Sequence, residues 1–277
     1  MKLNKNAREV MRRVLIVTLA IAVTGITLRA QTYPFREYTS VDGLPQTQST
    51  SVMQDSRGFI WIPTRNGLAR FDGNSFISYF RKDGLPSNLV THVVEDSYGT
   101  IWAVTINGLS RFNGKSFESF PVPDSLGVKQ VSMGCTGPDT ASFFLIASMD
   151  YNSHAILLFE NGIFHTYTAD NPPLQNRKFT PAAFDPADSI LYLIDDTWKA
   201  YAYKNKTLTL LSNGPVYDIS LVYGEPVFKS NLIQYDSFPE PFNWEGGSLA
   251  FYFCDREGIS WLGTETSIYR LLSDAFV

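Results

Sequence analysis

The chain has 277 residues, 44% of them hydrophobic and 14% aromatic, with 23 basic and 27 acidic side chains. That length and apolar content can bury a sizeable core. The net charge of −4 argues against a phosphate-rich partner, so nucleic acid is not expected as a ligand.

The first predicted element is a targeting segment. Lys2, Lys5, Arg8, Arg12 and Arg13 form a basic start, Val14 to Leu28 is an uncharged, mostly apolar run, and Leu28-Arg29-Ala30 places a small residue before Gln31. This is the layout of a secretory signal peptide over 1–30, cut at Ala30–Gln31, with an uncleaved anchor as its competitor. Removing it leaves 17 basic and 26 acidic residues, a net charge of −9. The mature chain, 31–277, is therefore expected to be periplasmic or secreted.

From Phe35 onward the sequence repeats itself with a period of 41 residues. Asp42-Gly43-Leu44-Pro45 returns as Asp83-Gly84-Leu85-Pro86, and Asp55, Gly58 and Trp61 return as Asp96, Gly99 and Trp102. Asn66-Gly67-Leu68, Arg70-Phe71, Gly73 and Phe76 likewise have partners at Asn107-Gly108-Leu109, Arg111-Phe112, Gly114 and Phe117. A third, partial copy carries Asp255, Gly258, Trp261, Thr264 and Arg270 at the same offsets, with Thr266-Ser267-Ile268 in place of Asn-Gly-Leu. One such unit cannot bury its apolar face alone and must stack on its neighbours, which points to a propeller or solenoid.

Residues 89–120 divide into four short strands. Leu89 to Glu95 ends in the turn Asp96-Ser97-Tyr98-Gly99, whose first and fourth residues suit type I. Thr100 to Thr105, Leu109 to Phe112 and Ser116 to Phe120 follow, with Asn107-Gly108 and Asn113-Gly114 read as type I′ hairpins. Four antiparallel strands in about 41 residues make a propeller blade. The middle keeps a weaker pattern: Phe143 to Ile146 stands where a Trp strand belongs, Asn161-Gly162-Ile163-Phe164 resembles a hairpin, and Ile190 to Ile194 with Tyr201 to Leu211 reads as another blade. Tyr223 to Tyr235 is a weak fifth. The expected fold is an all-β propeller of about six four-stranded blades, or an incomplete seven-bladed one. Phe35 to Tyr38 reads as an outermost strand, and Arg270 to Phe276 stops as the last outermost strand begins. Either the N-terminal strand completes the C-terminal blade or the chain is the front part of a longer protein, and the second reading is preferred.

Taken together, Asp-x-x-Gly-x-x-Trp-x-x-Thr-x-x-Gly-Leu followed by Asp-Gly-Leu-Pro resembles the two-component regulator propeller repeat. The match is clearest at 35–120 and 250–277. The resemblance implies the periplasmic sensor region of a hybrid histidine kinase of Bacteroidetes type, with further domains downstream. It also implies an oligosaccharide or other small extracytoplasmic ligand, and a histidine kinase continuation or partner, since no kinase lies in this chain.

Most recurring residues are expected to build the repeat. Asp55, Asp96 and Asp255 fall one per blade, too far apart to act as an acid–base pair, and suit turn capping. Trp61, Trp102 and Trp261 sit mid-strand as packing residues, with Gly58, Gly99 and Gly258 in the turns before them. His92, His154 and His165 lack metal-ligand spacing, so no metal or cofactor is expected. Cys135 and Cys254 are read as packed thiols on innermost strands of separate blades, too far apart to bridge. Ligand contacts are sought in loop positions that vary between repeats: Arg65, Arg81, Lys82 and Trp244, the last replacing the loop leucine. Trp244 also has the plainer reading of a larger residue filling that packing slot. A sensing module without enzymatic activity is the favoured function. The alternative is a sialidase- or lyase-like propeller enzyme acting on glycans, but the Asp-box spacing Ser-x-Asp-x-Gly-x-Thr-Trp does not fit Asp55 to Trp61.

Overall fold

The computed structural model describes residues 35–271 except 50, 138–141, 150–153, 168–171, 175–177, 213, 223–224, 230–248 and 265. Contacts divide the chain into a unit spanning Arg36–Leu271 and a second made of Met1–Phe35 with Leu272–Val277, of which only Phe35 is described. The signal segment, its Ala30–Gln31 cut and Trp244 lie outside the described residues.

The strands, in chain order, are β1 (Phe35–Tyr38), β2 (Met53–Gln54), β3 (Ile60–Thr64), β4 (Gly67–Phe71), β5 (Phe76–Tyr79), β6 (Val90–Glu95), β7 (Ile101–Thr105), β8 (Gly108–Phe112) and β9 (Phe117–Pro121). They continue as β10 (Gln130–Thr136), β11 (Phe143–Ser148), β12 (His154–Glu160), β13 (Ile163–Thr166), β14 (Phe179–Asp185), β15 (Ile190–Asp195), β16 (Ala200–Lys204) and β17 (Thr207–Ser212). Last come β18 (Asp218–Val222), β19 (Glu225–Lys229), β20 (Leu249–Cys254), β21 (Ser260–Thr264) and β22 (Ile268–Leu271). Helical structure among the described residues is limited to three-residue 3-10 turns.

The strands form antiparallel meanders β2–β5, β6–β9, β10–β13 and β14–β17, a pair β18–β19, and a four-stranded sheet ordered β1-β22-β21-β20. We call these sheets I to VI in that order. The N-terminal strand thus completes the sheet of the last three strands, which is one of the two arrangements the sequence offered. Tyr38 of β1 is buried against Trp261, their rings stacked 6.0 Å apart.

Apolar cores lie between successive sheets, which is what repeat stacking requires. Trp61 and Leu68 of sheet I pack with Ile101 and Phe112 of sheet II, and Trp102 and Leu109 of sheet II with Phe143 and Phe159 of sheet III. Phe144 and Ile156 pack with Leu191 and Tyr203 of sheet IV, and Ala183 and Tyr192 with Ile219 of sheet V. Sheet VI closes on sheet I through Trp261 and Ile268 against Ile62 and Phe71. The second strands β3, β7 and β21 are buried at every residue, because both of their faces are covered; this is why they read as continuous apolar runs rather than alternating ones.

Three sequence readings change. Asn107 and Asn113 do not have positive φ, so the type I′ reading fails there. In the first turn Thr105 pairs with Gly108, making Ile106-Asn107 the two loop residues, and the Thr105 hydroxyl donates to the Gly108 carbonyl at 3.0 Å. In the second, the Asn113 carboxamide oxygen accepts the Lys115 and Ser116 N–H groups at 3.0 and 2.9 Å. The type I′ conformation occurs instead at Asn161-Gly162, with φ of 51° and 81°. The weak fifth repeat begins earlier than expected, at Asp218, and its continuation past Lys229 lies outside the described residues. Finally, Cys135 is a buried thiol but Cys254 is exposed, so only the first is packed.

Candidate functional site

The recurring aspartates each close one turn and hold one tryptophan. Asp55 Oδ1 accepts the Arg57 and Phe59 backbone N–H groups, both at 3.0 Å, and Oδ2 accepts the Trp61 indole N–H at 2.8 Å. Asp96 repeats this with Tyr98, Thr100 and Trp102, the indole at 3.0 Å. Asp255 accepts from Ile259 at 2.7 Å and Trp261 at 3.0 Å. A buried indole N–H needs a partner, and the carboxylate supplies it while fixing the turn. Arg70 lies 4.5 Å from the Phe59 ring centroid and 5.8 Å from that of Phe112 on the next sheet; Arg270 bridges Trp261 and Phe71 in the same way.

A fourth device of this kind escaped sequence reading. Asp195 accepts N–H groups of Thr197 and Lys199 and the Tyr201 hydroxyl at 2.8 Å, the same offsets with Tyr for Trp. It sits between the second and third strands rather than the first and second. Burial raises the pKa of its carboxyl, but the Lys199, Thr197 and Tyr201 hydrogen bonds outweigh this and hold it below the ordinary 3.8.

The Asp-Gly-Leu-Pro loops enter the inner strands. The Asp42 and Asp83 carboxylates each accept a backbone N–H, from Thr39 and Phe80, at 2.9 Å. Gly84 has φ of 99°, and a Cβ there would stand 1.8 Å from the Phe117 carbonyl oxygen. Leu44 and Leu85 then drop into the inter-sheet cores.

At this end of the sheets, where the inner strands begin, a cavity of about 370 Å³ opens between sheets I, II and III. Its wall is built from equivalent register positions. Gln48, Leu89 and Gln130 all line it, each 41 residues from the next. So do Arg65 and its counterpart Ile106, from the turns between second and third strands. Val90 with Val131, and Thr91 with Ser132, complete the inner-strand contribution. The turns are tied to those strands: Arg65 N–H donates to the Gln48 carbonyl at 3.3 Å, Ile106 N–H to Leu89 at 3.2 Å, and Val131 N–H to Ile106 at 2.8 Å.

Of the loop residues singled out in the sequence, Arg65 lines this cavity. Arg81 and Lys82 are exposed on a 3-10 turn, Arg81–Asp83, and are not part of its wall. The Arg81 N–H is held by Asn88 at 2.8 Å, and Asn88 reaches Asn66, beside Arg65, at 3.3 Å. All three therefore occupy one end of the sheets, but one of them reaches the cavity. Gln48 and Gln130 were missed. The available signal was their register: two polar residues in step at an inner-strand start where the intervening repeat has leucine.

All described architecture is of the β-propeller class, a scaffold that hosts both binding modules and enzymes. The family model described as Two component regulator propeller matches residues 84–107, so the resemblance carried by the repeats is a match to that family's repeat. A curated relative, Histidine kinase P4 of Formosa agariphila, is 40% identical over 57 residues, covering 20% of this chain and 4% of its own length. Among solved structures, the extracellular domain of a hybrid two-component system from B. thetaiotaomicron aligns with TM-score 0.54 at 17% identity, covering 86% of this chain and 42% of that one. Streptogramin B lyase aligns with TM-score 0.50 at 15% identity, covering 82% of this chain and 80% of that one. At these identities the structural likenesses establish the fold. The chain spans less than half of the first structure and a small part of the kinase.

Proposed function

We propose that the chain is an extracytoplasmic ligand-sensing module of a two-component system, working with a histidine kinase, and that it binds an oligosaccharide at the cavity end of its sheets. The observation that carries the reading is the placement of varying residues on an unvarying frame. The Asp–Trp locks and the Asp-Gly-Leu-Pro loops recur, whereas the cavity wall changes from Gln to Leu to Gln and from Arg to Ile. Specificity is carried by such positions on a rigid scaffold. The family match supports signalling, and the sugar rests on the resemblance. No helix among the described residues is long and apolar enough to cross a membrane.

A glycan-cleaving enzyme is the second reading, kept open by the lyase fold. Against it, the described residues of the cavity wall include no carboxylate, histidine or cysteine, so among them no acid–base pair or nucleophile is offered. Calorimetric titration of the exported protein against a panel of neutral and acidic glycan fragments tests the proposal. Saturable binding with unaltered glycan is expected; release of cleaved product would favour the enzyme, and absence of binding across the panel would refute sensing of sugars.

A further inference from the structure

We infer that the cavity between sheets I, II and III recognises a carboxylate-bearing sugar unit, with Arg65 as its anion contact; this deepens the sensing proposal and rests on it. Among the described residues, Arg65 is the one charged residue lining the cavity. Its backbone is held in a tight turn: the neighbouring Thr64 hydroxyl donates to Gly67 at 2.7 Å and accepts the Asn66 N–H at 3.2 Å. Among the described residues, no carboxylate pairs with its guanidinium. In sheet II the equivalent residue, Ile106, points the same turn at the cavity without charge. The charge is therefore local to one side of the wall, in a chain whose overall charge is negative and does not attract anions generally.

The remaining wall fixes the class of ligand further. Gln48 and Gln130 each bring amide donor and acceptor capacity, and Ser132 and Ser148 add hydroxyls, beside the aliphatic Leu89 and Ile146. This suits a hydroxylated, partly apolar ring. Among the described residues, none that lines the cavity is aromatic, so these residues select a sugar by polar contacts and not by stacking. A volume of about 370 Å³ is near the lower end of the range for small-molecule pockets, about 300–1,000 Å³. One ring fits within it, and the rest of any oligosaccharide would lie outside. A guanidinium fork matches a carboxylate in two parallel hydrogen bonds, which an uncharged hydroxymethyl group cannot reproduce. The pocket would thus read a terminal sugar acid.

The test is titration of the exported protein with D-glucuronate and D-glucose, run alongside the glycan panel above. Glucuronate is expected to bind on the order of tenfold more tightly than glucose, with the preference shrinking as salt rises. Arg65→Gln should bring glucuronate to the level of glucose. Gln130→Ala should weaken both ligands and keep their ratio. Because Arg65 is exposed, its substitution leaves the fold intact, and unchanged thermal melting checks this. Equal affinity for the two sugars, or full glucuronate affinity in Arg65→Gln, would overturn the sugar-acid inference while sensing stands. Failure of every panel member to bind would remove both readings.

Discussion

Replacing Asp55 with alanine removes one buried carboxylate and leaves three donors without their acceptor. The Trp61 indole N–H is the most costly, since Trp61 is fully buried and its bond to Asp55 is 2.8 Å long. A buried donor left unsatisfied costs about 1–3 kcal/mol, and each of the part-buried Arg57 and Phe59 amides adds about 0.5–1.5 kcal/mol. The expected loss is about 2–6 kcal/mol, lowering the melting temperature by roughly 10 °C in a domain of this size. Denaturant unfolding followed by tryptophan fluorescence measures it. Trp61→Phe, made alone and with Asp55→Ala, completes a double-mutant cycle. Removing the indole donor should recover about 1–3 kcal/mol of the Asp55→Ala loss through coupling. A loss below about 1 kcal/mol, or strict additivity of the two substitutions, would refute the claim that the recurring aspartates exist to satisfy the tryptophans.

Two glycines in repeat motifs should respond differently to alanine. Gly58→Ala meets no atom within 4 Å and pays for its φ of +93° alone, a cost of about 1–2 kcal/mol; Gly84→Ala also collides with the Phe117 carbonyl and should abolish soluble expression or cost several times more. Comparable melting temperatures for the two would contradict the close approach of that loop to β9. Asp195 gives a pH prediction. Its carboxyl pKa is below 3.8 in the folded chain, so its stabilising effect is present above 3.8 and disappears as pH falls through the depressed value. The stability difference between the wild type and Asp195→Asn should therefore narrow on acidification through that range, and a difference that stays constant would show that the Tyr201 and backbone contacts do not depend on charge.

The frame was legible because its residues answer to local chemistry that recurs. Aspartate before a turn, glycine at positive φ and tryptophan six residues after the aspartate are each dictated within one hairpin, and the 41-residue period displays them twice. Sheets III and IV were harder to read for the same reason. Phe143 stands in the place of the tryptophan, and the sheet IV lock moved to Asp195 at the opposite end of the strands with tyrosine as donor. The hairpin register was misread by one residue at Asn107-Gly108, since the Thr105 hydroxyl, and not positive φ at asparagine, ties that turn. At the cavity, Arg65 stood out as a charge that the next repeat lacks. Gln48 and Gln130 did not, because their meeting depends on three sheets converging, which no single repeat encodes.

The place of β1 carries a consequence for how the chain comes to its fold. Glu37 accepts from the Ser267 hydroxyl and, at 3.3 Å, from the Tyr269 hydroxyl, joining residues more than 200 positions apart. During synthesis, β1 emerges ahead of the other described strands and must wait for partners more than 200 residues further along. Such a distant pairing is slow to form. In the interval β1 is a bare strand edge, and its exposed Arg36 and Glu37 make it a poor template for another chain. Tyr38 finds Trp261 at the end of this wait. Until residue 268 has been made, the side of sheet I that Phe71 presents lacks the cover of sheet VI, so burial of Tyr38 and Phe71 reports that β21 and β22 have joined β1.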